Sequence, residues 1–344
     1  MAARTAVRVV AAATLVGAAA LPLVRKRLRA RGIPQAAILA GSALAPLSAA
    51  VLWPRGPRRA VLVCLLQMNA YIAAYKMPHD DEADQAGRVH VDYPIVADRV
   101  LGLGELPTVR LQRALHPDDG FRRFEKALVW AHWVWFATPQ ASIAYVYRRD
   151  RARFARAAVL TYAVFDVGAI GYWALPTAPP WYASQQGRLP AGPAAARRLM
   201  VEYGEGFWGE RWDALYAALG GNPLGAMPSL HFATATMGAL LLAETGPLAG
   251  VVGGAYAATL GFALVYLGEH YVVDLVAGLA LTLAVRRCER IGARPVRAVG
   301  ALVDRIARFA AGVEDVEPVS AALRVRPLGP WVVRGARPAP GSRA

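Results

Sequence analysis

Gly225-Ala226-Met227-Pro228-Ser229-Leu230-His231 carries a polar loop into the apolar run Ser229–Ala243, and Gly268-Glu269-His270-Tyr271-Val272-Val273-Asp274 does the same for the run Tyr271–Val285. A third apolar run, Leu248–Leu267, lies between them. Runs approaching ~20 apolar residues read as membrane helices. The two crossings between the motifs return the chain to the face it left, so both motifs fall at one membrane boundary. Serine suits a helix cap and proline a first turn, so Met227-Pro228-Ser229 reads as a helix start with free N–H groups that suit a phosphate. His231 lies in that first turn. His270 and Asp274 are four apart, a spacing that stacks two side chains on one helical face.

Two imidazoles and a carboxylate fit phosphoryl transfer through a phosphohistidine. One His attacks phosphorus, the acid fixes its tautomer, and the other His handles the leaving-group proton. The bland reading is a solvated or hydrogen-bonded His near a helix end, and a chance His-x-x-x-Asp spacing. Two such features on one side of a membrane favour the catalytic reading.

Composition narrows the class. The chain has 344 residues, 56% of them hydrophobic, and a mean hydropathy of +0.31. That is too apolar for an ordinary soluble domain of this size. The formal charge of +15 is gathered in short loops between apolar runs, which suits anionic lipid and topology control. Nothing in the pattern argues for nucleic acid, no His/Cys cluster has metal-ligand spacing, and the histidine route needs neither metal nor cofactor. Cys64 and Cys288 do not read as a disulfide.

Eight apolar runs stand out: Ala6–Val24, Gln35–Trp53, Ala60–Tyr75, Ala127–Tyr147, Ala157–Leu175, Ser229–Ala243, Leu248–Leu267 and Tyr271–Val285. The expected fold is all-α, a polytopic membrane bundle with a six-helix core and two N-terminal apolar segments. The expected divisions are 1–56 for those segments, 57–290 for the catalytic membrane domain and 291–344 for a basic cytoplasmic tail. Ala6–Val24 is followed by Arg25-Lys26-Arg27 rather than a cleavage site, so it reads as a retained helix. In the tail, Val299, Leu302, Val303, Ile306 and Phe309 form an amphipathic stripe for the anionic cytoplasmic leaflet, and 324–344 reads as disordered.

Lys76–Lys126 is a polar insert whose acidic start, Pro78–Asp84, reads as a solvated loop. Its later part, Val96–Leu115, has the pattern of interfacial helices. The loop Leu175–Asn222 holds Trp181, Tyr182, Trp208 and Trp212, expected as a headgroup-level belt and a substrate lid. Arg148-Arg149-Asp150-Arg151 and Arg286-Arg287 should face the cytoplasm, which sets both histidine motifs on the extracytoplasmic side of the cell membrane. Arg25–Arg31 conflicts: with eight crossings it too is extracytoplasmic, unless one of the first two runs does not cross. His132 and Asp166 lie inside apolar runs. Such residues are functional hypotheses by default, but a structural pair joining two helices is the favoured reading.

Pro-Ser-Leu-His followed by His-Tyr-x-x-Asp resembles the type 2 phosphatidic acid phosphatase superfamily. Gly225–His231, His270–Gly278 and Pro176-Thr177-Ala178-Pro179-Pro180-Trp181-Tyr182 are similar to its inositol phosphorylceramide synthase (aureobasidin-resistance) branch, and Gly104–Gln112 is a weaker match. The resemblance implies that His270 is the nucleophile, Asp274 its orienting carboxylate and His231 the acid/base. The superfamily's Lys-x6-Arg-Pro phosphate grip is missing here, and Leu264 stands where an Arg often precedes the nucleophile. The phosphate cation is therefore open among Arg188, Arg197 and Arg198. Ser229, Tyr271, Arg188, Trp181 and Tyr182 are the candidate substrate-binding residues.

The expected activity is transfer of a phospho-headgroup, such as phosphoinositol, from a membrane phospholipid donor to a lipid acceptor, the chemistry of sphingolipid synthesis. The alternative is a lipid phosphatase in which water accepts and phosphatidate or a polyprenyl phosphate donates. A non-catalytic scaffold predicts a missing His or Asp, and all three are present.

Overall fold

The computed structural model describes residues 1–117, 120–189, 195–219 and 221–313. The fold is all-α. An N-terminal hairpin, α1 (Ala2–Ala30) and α2 (Gln35–Leu52), packs on α3 (Pro57–Lys76). The polar insert folds as α4 (Glu82–Arg88), α5 (Asp92–Leu101) and α6 (Pro107–Leu115). The core follows as α7 (Arg123–Val134), α8 (Thr138–Arg149) and α9 (Arg151–Ala174). A long loop bears α10 (Pro180–Gln185), α11 (Leu199–Trp208) and α12 (Trp212–Leu219). The core closes with α13 (Leu230–Ala243), α14 (Pro247–Tyr266) and α15 (Val272–Arg287), and α16 (Glu289–Ala311) follows. The expected bundle is present. Five helices are long and apolar enough to cross a membrane: α1, α2, α3 with the turn after it, α9 and α14.

The run Ala127–Tyr147 is not one helix. It breaks at Trp135–Ala137 between α7 and α8. Pro139 is the cause: it has no N–H to give the carbonyl of Trp135, and its ring crowds that carbonyl. Thr138 fills the gap, its N–H donating to Trp135 O at 3.1 Å. The break carries the end of α7 towards the start of α13.

α13 is the central helix, packed by α8, α9, α14 and α15. Its neighbours bury Phe165, Tyr172, Leu230, Met237, Leu260 and Leu264 at 2% exposure or less. Both α13 and α15 begin at the histidine motifs, so their far ends lie together. There Glu244 accepts from Arg156 at 2.6 Å and Arg286 at 2.9 Å, and Arg156 also binds Glu289 at 2.8 Å.

Arg25–Ala30 form the C-terminal end of α1, capped by Arg31. Arg25 forms a two-pronged ion pair with Asp80, at 2.8 and 3.0 Å, and Arg29 and Lys26 approach the same carboxylate. These contacts neutralise part of the charge of the basic cluster. Asp80 is correspondingly not solvated: its side chain is 4% exposed.

In α5 and α6, Ile95, Leu106 and Val109 pack inward against Tyr271, while Val96, Val100 and Leu103 stay exposed. In α16, Val303 turns inward, whereas Val299, Leu302, Ile306 and Phe309 stay on an exposed apolar face. The reading of 324–344 as disordered falls outside the described residues.

Candidate active site

Ser229 is the N-cap of α13, its Oγ accepting the Phe232 N–H at 3.4 Å. His231 is the second helical residue. Pro228 lies just before the cap, and its carbonyl accepts the Tyr172 hydroxyl at 2.9 Å.

The second motif departs from the expected geometry. His270 is not on a helix; α15 starts at Val272, with Tyr271 extended as its cap. Gly268 makes the turn at φ +81°, where a Cβ would meet the Arg197 carbonyl oxygen at 2.2 Å. Asp274 is the third residue of α15 and reaches back over the helix start. Its Oδ2 accepts the Tyr271 N–H at 2.9 Å and lies 3.2 Å from His270 Nδ1. The spacing brings the two together, but through a capping carboxylate rather than a shared helical face.

The two motifs are tied directly. The Ser229 N–H donates to the Asp274 carbonyl at 3.0 Å. α15 comes so near that a Cβ on Gly278 would lie 2.6 Å from the Ser229 carbonyl oxygen. His270 Nε2 then lies 3.4 Å from His231 Nδ1. An ionised carboxylate only accepts, so the His270 proton belongs on Nδ1 and leaves Nε2 with a free lone pair.

His132 does not pair with Asp166, as expected from sequence. Asp166 accepts from Gln67 at 3.0 Å. His132 packs instead against His231, with ring centroids 5.0 Å apart, and Trp135 covers the same imidazole at 4.0 Å. Trp135 is fixed by its Nε1–H, which donates to Thr234 Oγ1 at 2.9 Å, one turn beyond His231 on α13. Trp135 carries no signal in the sequence, because its position depends on the break after α7.

The structure separates the three loop arginines. Arg188 pairs with Asp92 on the surface at 2.9 Å, and none of its polar contacts among the described residues is with a histidine. Arg197 pairs with Glu202, half exposed. Arg198 grips Glu269, the neighbour of His270, through two bonds of 2.9 and 3.1 Å. Its guanidinium lies 4.1 Å from the centre of the Trp181 ring, a cation–π contact. Burial works against charge on Glu269, but Arg198 holds its carboxyl below the usual range. Of the three, Arg198 is the one paired with the neighbour of His270, whereas Arg188 makes a surface ion pair.

Ser229 and Tyr271 also take scaffold places: both are 0% exposed, Ser229 as a cap and Tyr271 in the core beneath α5 and α6. Trp181 and Trp212 are buried rather than belt residues, Trp181 under Arg198 and Trp212 among Leu128, Leu199 and Tyr266. Tyr182 is half-buried, edge-on to Trp181.

Asp98 of α5 was missed by sequence reasoning. It is fully buried, and its Oδ1 accepts the Val273 N–H at 2.9 Å, beside Asp274. Burial chiefly, with the Asp274 charge adding to it, pushes its carboxyl up to about 6.

A mostly apolar cleft of about 520 Å³ runs between α8, α13 and α14, lined by Thr138, Ser142, Thr234, Ala239, Val252 and Tyr256. It begins at Thr234, one turn from His231.

Residues 121–287 match the model of the PAP2 superfamily. The chain is similar to the inositol phosphorylceramide synthase catalytic subunit aur1 of Schizosaccharomyces pombe, 30% identical over 124 residues, which cover 34% of this chain and 28% of that protein. It is also similar to the inositol phosphorylceramide synthase of Candida albicans, 32% identical over 127 residues, which cover 35% of this chain and 26% of that one. The match thus spans less than a third of either relative. No solved structure matches.

Proposed function

Because residues 121–287 belong to the PAP2 superfamily, we propose that this chain is a membrane phosphotransferase that moves a phospho-headgroup between lipids through a phosphohistidine on His270. The observation that carries the reading is the alignment of Asp274, His270 and His231. Asp274 holds the proton on Nδ1, and the free Nε2 faces the second imidazole at 3.4 Å.

A phospholipid phosphate entering between the two rings meets His270 Nε2 as nucleophile. The N–P bond forms as the P–O bond to diacylglycerol breaks. His231 gives its proton to the departing oxygen. An acceptor hydroxyl then returns a proton to His231 as its oxygen attacks phosphorus and releases His270. Arg198 supplies positive charge beside the reacting phosphate. The names of the two fungal relatives favour phosphoinositol as headgroup and a sphingolipid base as acceptor class. The apolar cleft beginning one turn from His231 suits a lipid tail. The arginines at the far ends of α8 and α15 favour a cytoplasmic far end, which sets the histidines on the extracytoplasmic side of the cell membrane. Anionic lipid is the partner expected at the cytoplasmic face.

The test uses purified protein in lipid nanodiscs with labelled phosphatidylinositol, with and without ceramide or diacylglycerol. A phosphoinositol lipid formed only with acceptor, and lost in His270→Ala, is expected. Acceptor-independent release of inositol phosphate would make water the acceptor and the protein a phosphatase. No product from any phospholipid donor would overturn the reading.

A further inference from the structure

His132 is a buried imidazole that the scheme above does not use. It is 4% exposed, and its Nδ1 has no hydrogen-bond partner among the described residues. A buried polar atom left unpaired costs about 1–3 kcal/mol, so its place needs a reason. Two observations supply one. The ring stands 5.0 Å from His231, which stands 5.6 Å from His270, so three imidazoles follow one another and end at Asp274. The break after α7 brings His132 and Trp135 together onto His231, with Trp135 pinned to the same helix by Thr234.

Tautomers then follow in order. Asp274 accepts a hydrogen bond from the Nδ1–H of His270. His270 Nε2 is an acceptor, so the His231 Nδ1 facing it at 3.4 Å carries a proton. That is the proton placed to reach a leaving oxygen. While His231 is an imidazolium, its other nitrogen also carries a proton, and that proton needs an acceptor.

We propose that His132 is the positioning residue of His231, its unpartnered Nδ1 accepting a hydrogen bond from the second N–H of the His231 imidazolium as Asp274 accepts one from the Nδ1–H of His270. The inference rests on the phosphoryl-transfer reading above. In the first half-reaction the His231 Nδ1 proton passes to the diacylglycerol oxygen as the P–O bond breaks, and the Nε2 proton stays shared with His132. In the second, the acceptor hydroxyl returns a proton to Nδ1 as the new P–O bond forms and the N–P bond breaks.

The test varies the leaving group. Diacylglycerol leaves as a basic alkoxide and needs a proton; nitrophenolate does not. In single turnover with phosphatidylinositol, His132→Ala should slow diacylglycerol release on the order of 100-fold. With nitrophenyl phosphoinositol its nitrophenolate burst should stay within roughly threefold of wild type. His132→Asn, with an acceptor oxygen near the place of Nδ1, should recover most of the rate, and His132→Gln should not. Wild-type diacylglycerol release by His132→Ala overturns the proposal. So does an equal loss with both donors, the mark of a structural role. If the alanine variant does not fold, the Asn and Gln variants decide, and equal rates for those two overturn it. If wild type releases neither leaving group, the phosphoryl-transfer reading falls and this inference with it; diacylglycerol release with no effect of His132 sinks this inference alone.

Discussion

Asp274 holds His270 from across a helix start: one oxygen, Oδ2, accepts the Tyr271 N–H at 2.9 Å and meets His270 Nδ1 at 3.2 Å. The carboxylate is cap and orienter at once. Its position is set by the backbone of α15, and through the Ser229 N–H on its carbonyl by the start of α13 as well. A single residue thereby links the two histidine motifs.

Replacing Asp274 with Asn keeps one oxygen where Oδ2 meets both the Tyr271 N–H and His270 Nδ1, but removes the carboxylate charge. His270 then becomes a weaker nucleophile, and the positive charge that develops on its ring as the N–P bond forms is no longer offset. The expected loss in kcat is about 10³–10⁴-fold, with an unchanged melting profile in detergent. Near-normal turnover in this variant would remove Asp274 from the mechanism.

Arg198 and Arg188 should behave differently although both lie in the loop between α9 and α13. Arg198→Ala breaks the pair with Glu269 and exposes the Trp181 face. Turnover should fall on the order of 10–100-fold, and Arg198→Lys should recover little, since lysine cannot span both Glu269 oxygens. Arg188→Ala removes only a surface pair, worth up to ~1 kcal/mol, and should leave the kinetics of headgroup transfer unchanged. Equal effects of the two alanine variants would contradict the assignment.

These outcomes bear on what the sequence made legible. Ser229 as a cap and His231 just behind it follow from local chemistry, and both stand where expected. The His270–Asp274 spacing signalled a contact, but its form depended on Gly268 and the extended Tyr271, and a helical reading replaced a cap. Pro139 signalled the break in Ala127–Tyr147, yet the apolar average hid it; the consequence was that His132 was matched to Asp166 rather than His231. Arg198 could not be told from Arg188 and Arg197, because what distinguishes it is Glu269, 71 residues away. Asp98 had no signal at all in a polar insert, since its burial comes from α5 closing over the start of α15.

Asp98 gives a pH dependence. Its folded carboxyl is pushed up to about 6 from an ordinary 3.8. The folded protein therefore binds this proton more tightly than the unfolded chain, and stability from this group is lost as pH rises from about 4 to 6. Asp98→Asn keeps an oxygen for the Val273 N–H and removes the titration. Thermal melts should place the variant above wild type at pH 7, with the difference shrinking towards pH 4. A difference that stays constant across that range would contradict the account.

Orientation can be read with a natural probe. Cys288 is exposed at the α15–α16 junction, at the end away from the histidines. Gln186, exposed after α10, marks the histidine end. In intact cells an impermeant maleimide should label Gln186→Cys in a Cys64→Ser/Cys288→Ser background. Native Cys288 should label only after permeabilisation. The reverse pattern would put the histidines in the cytoplasm.

The central claim is that His270 carries the phosphoryl group. The direct measurement is a rapid acid-free quench of the protein in nanodiscs with phosphatidylinositol labelled at phosphorus, followed by peptide mass spectrometry. The account predicts a base-stable, acid-labile phosphoinositol adduct on His270. It should be absent in His270→Ala and should accumulate in a His231→Ala variant given a donor with a good leaving group. Turnover of the labelled donor with no adduct on His270, or with label on another residue, would contradict it.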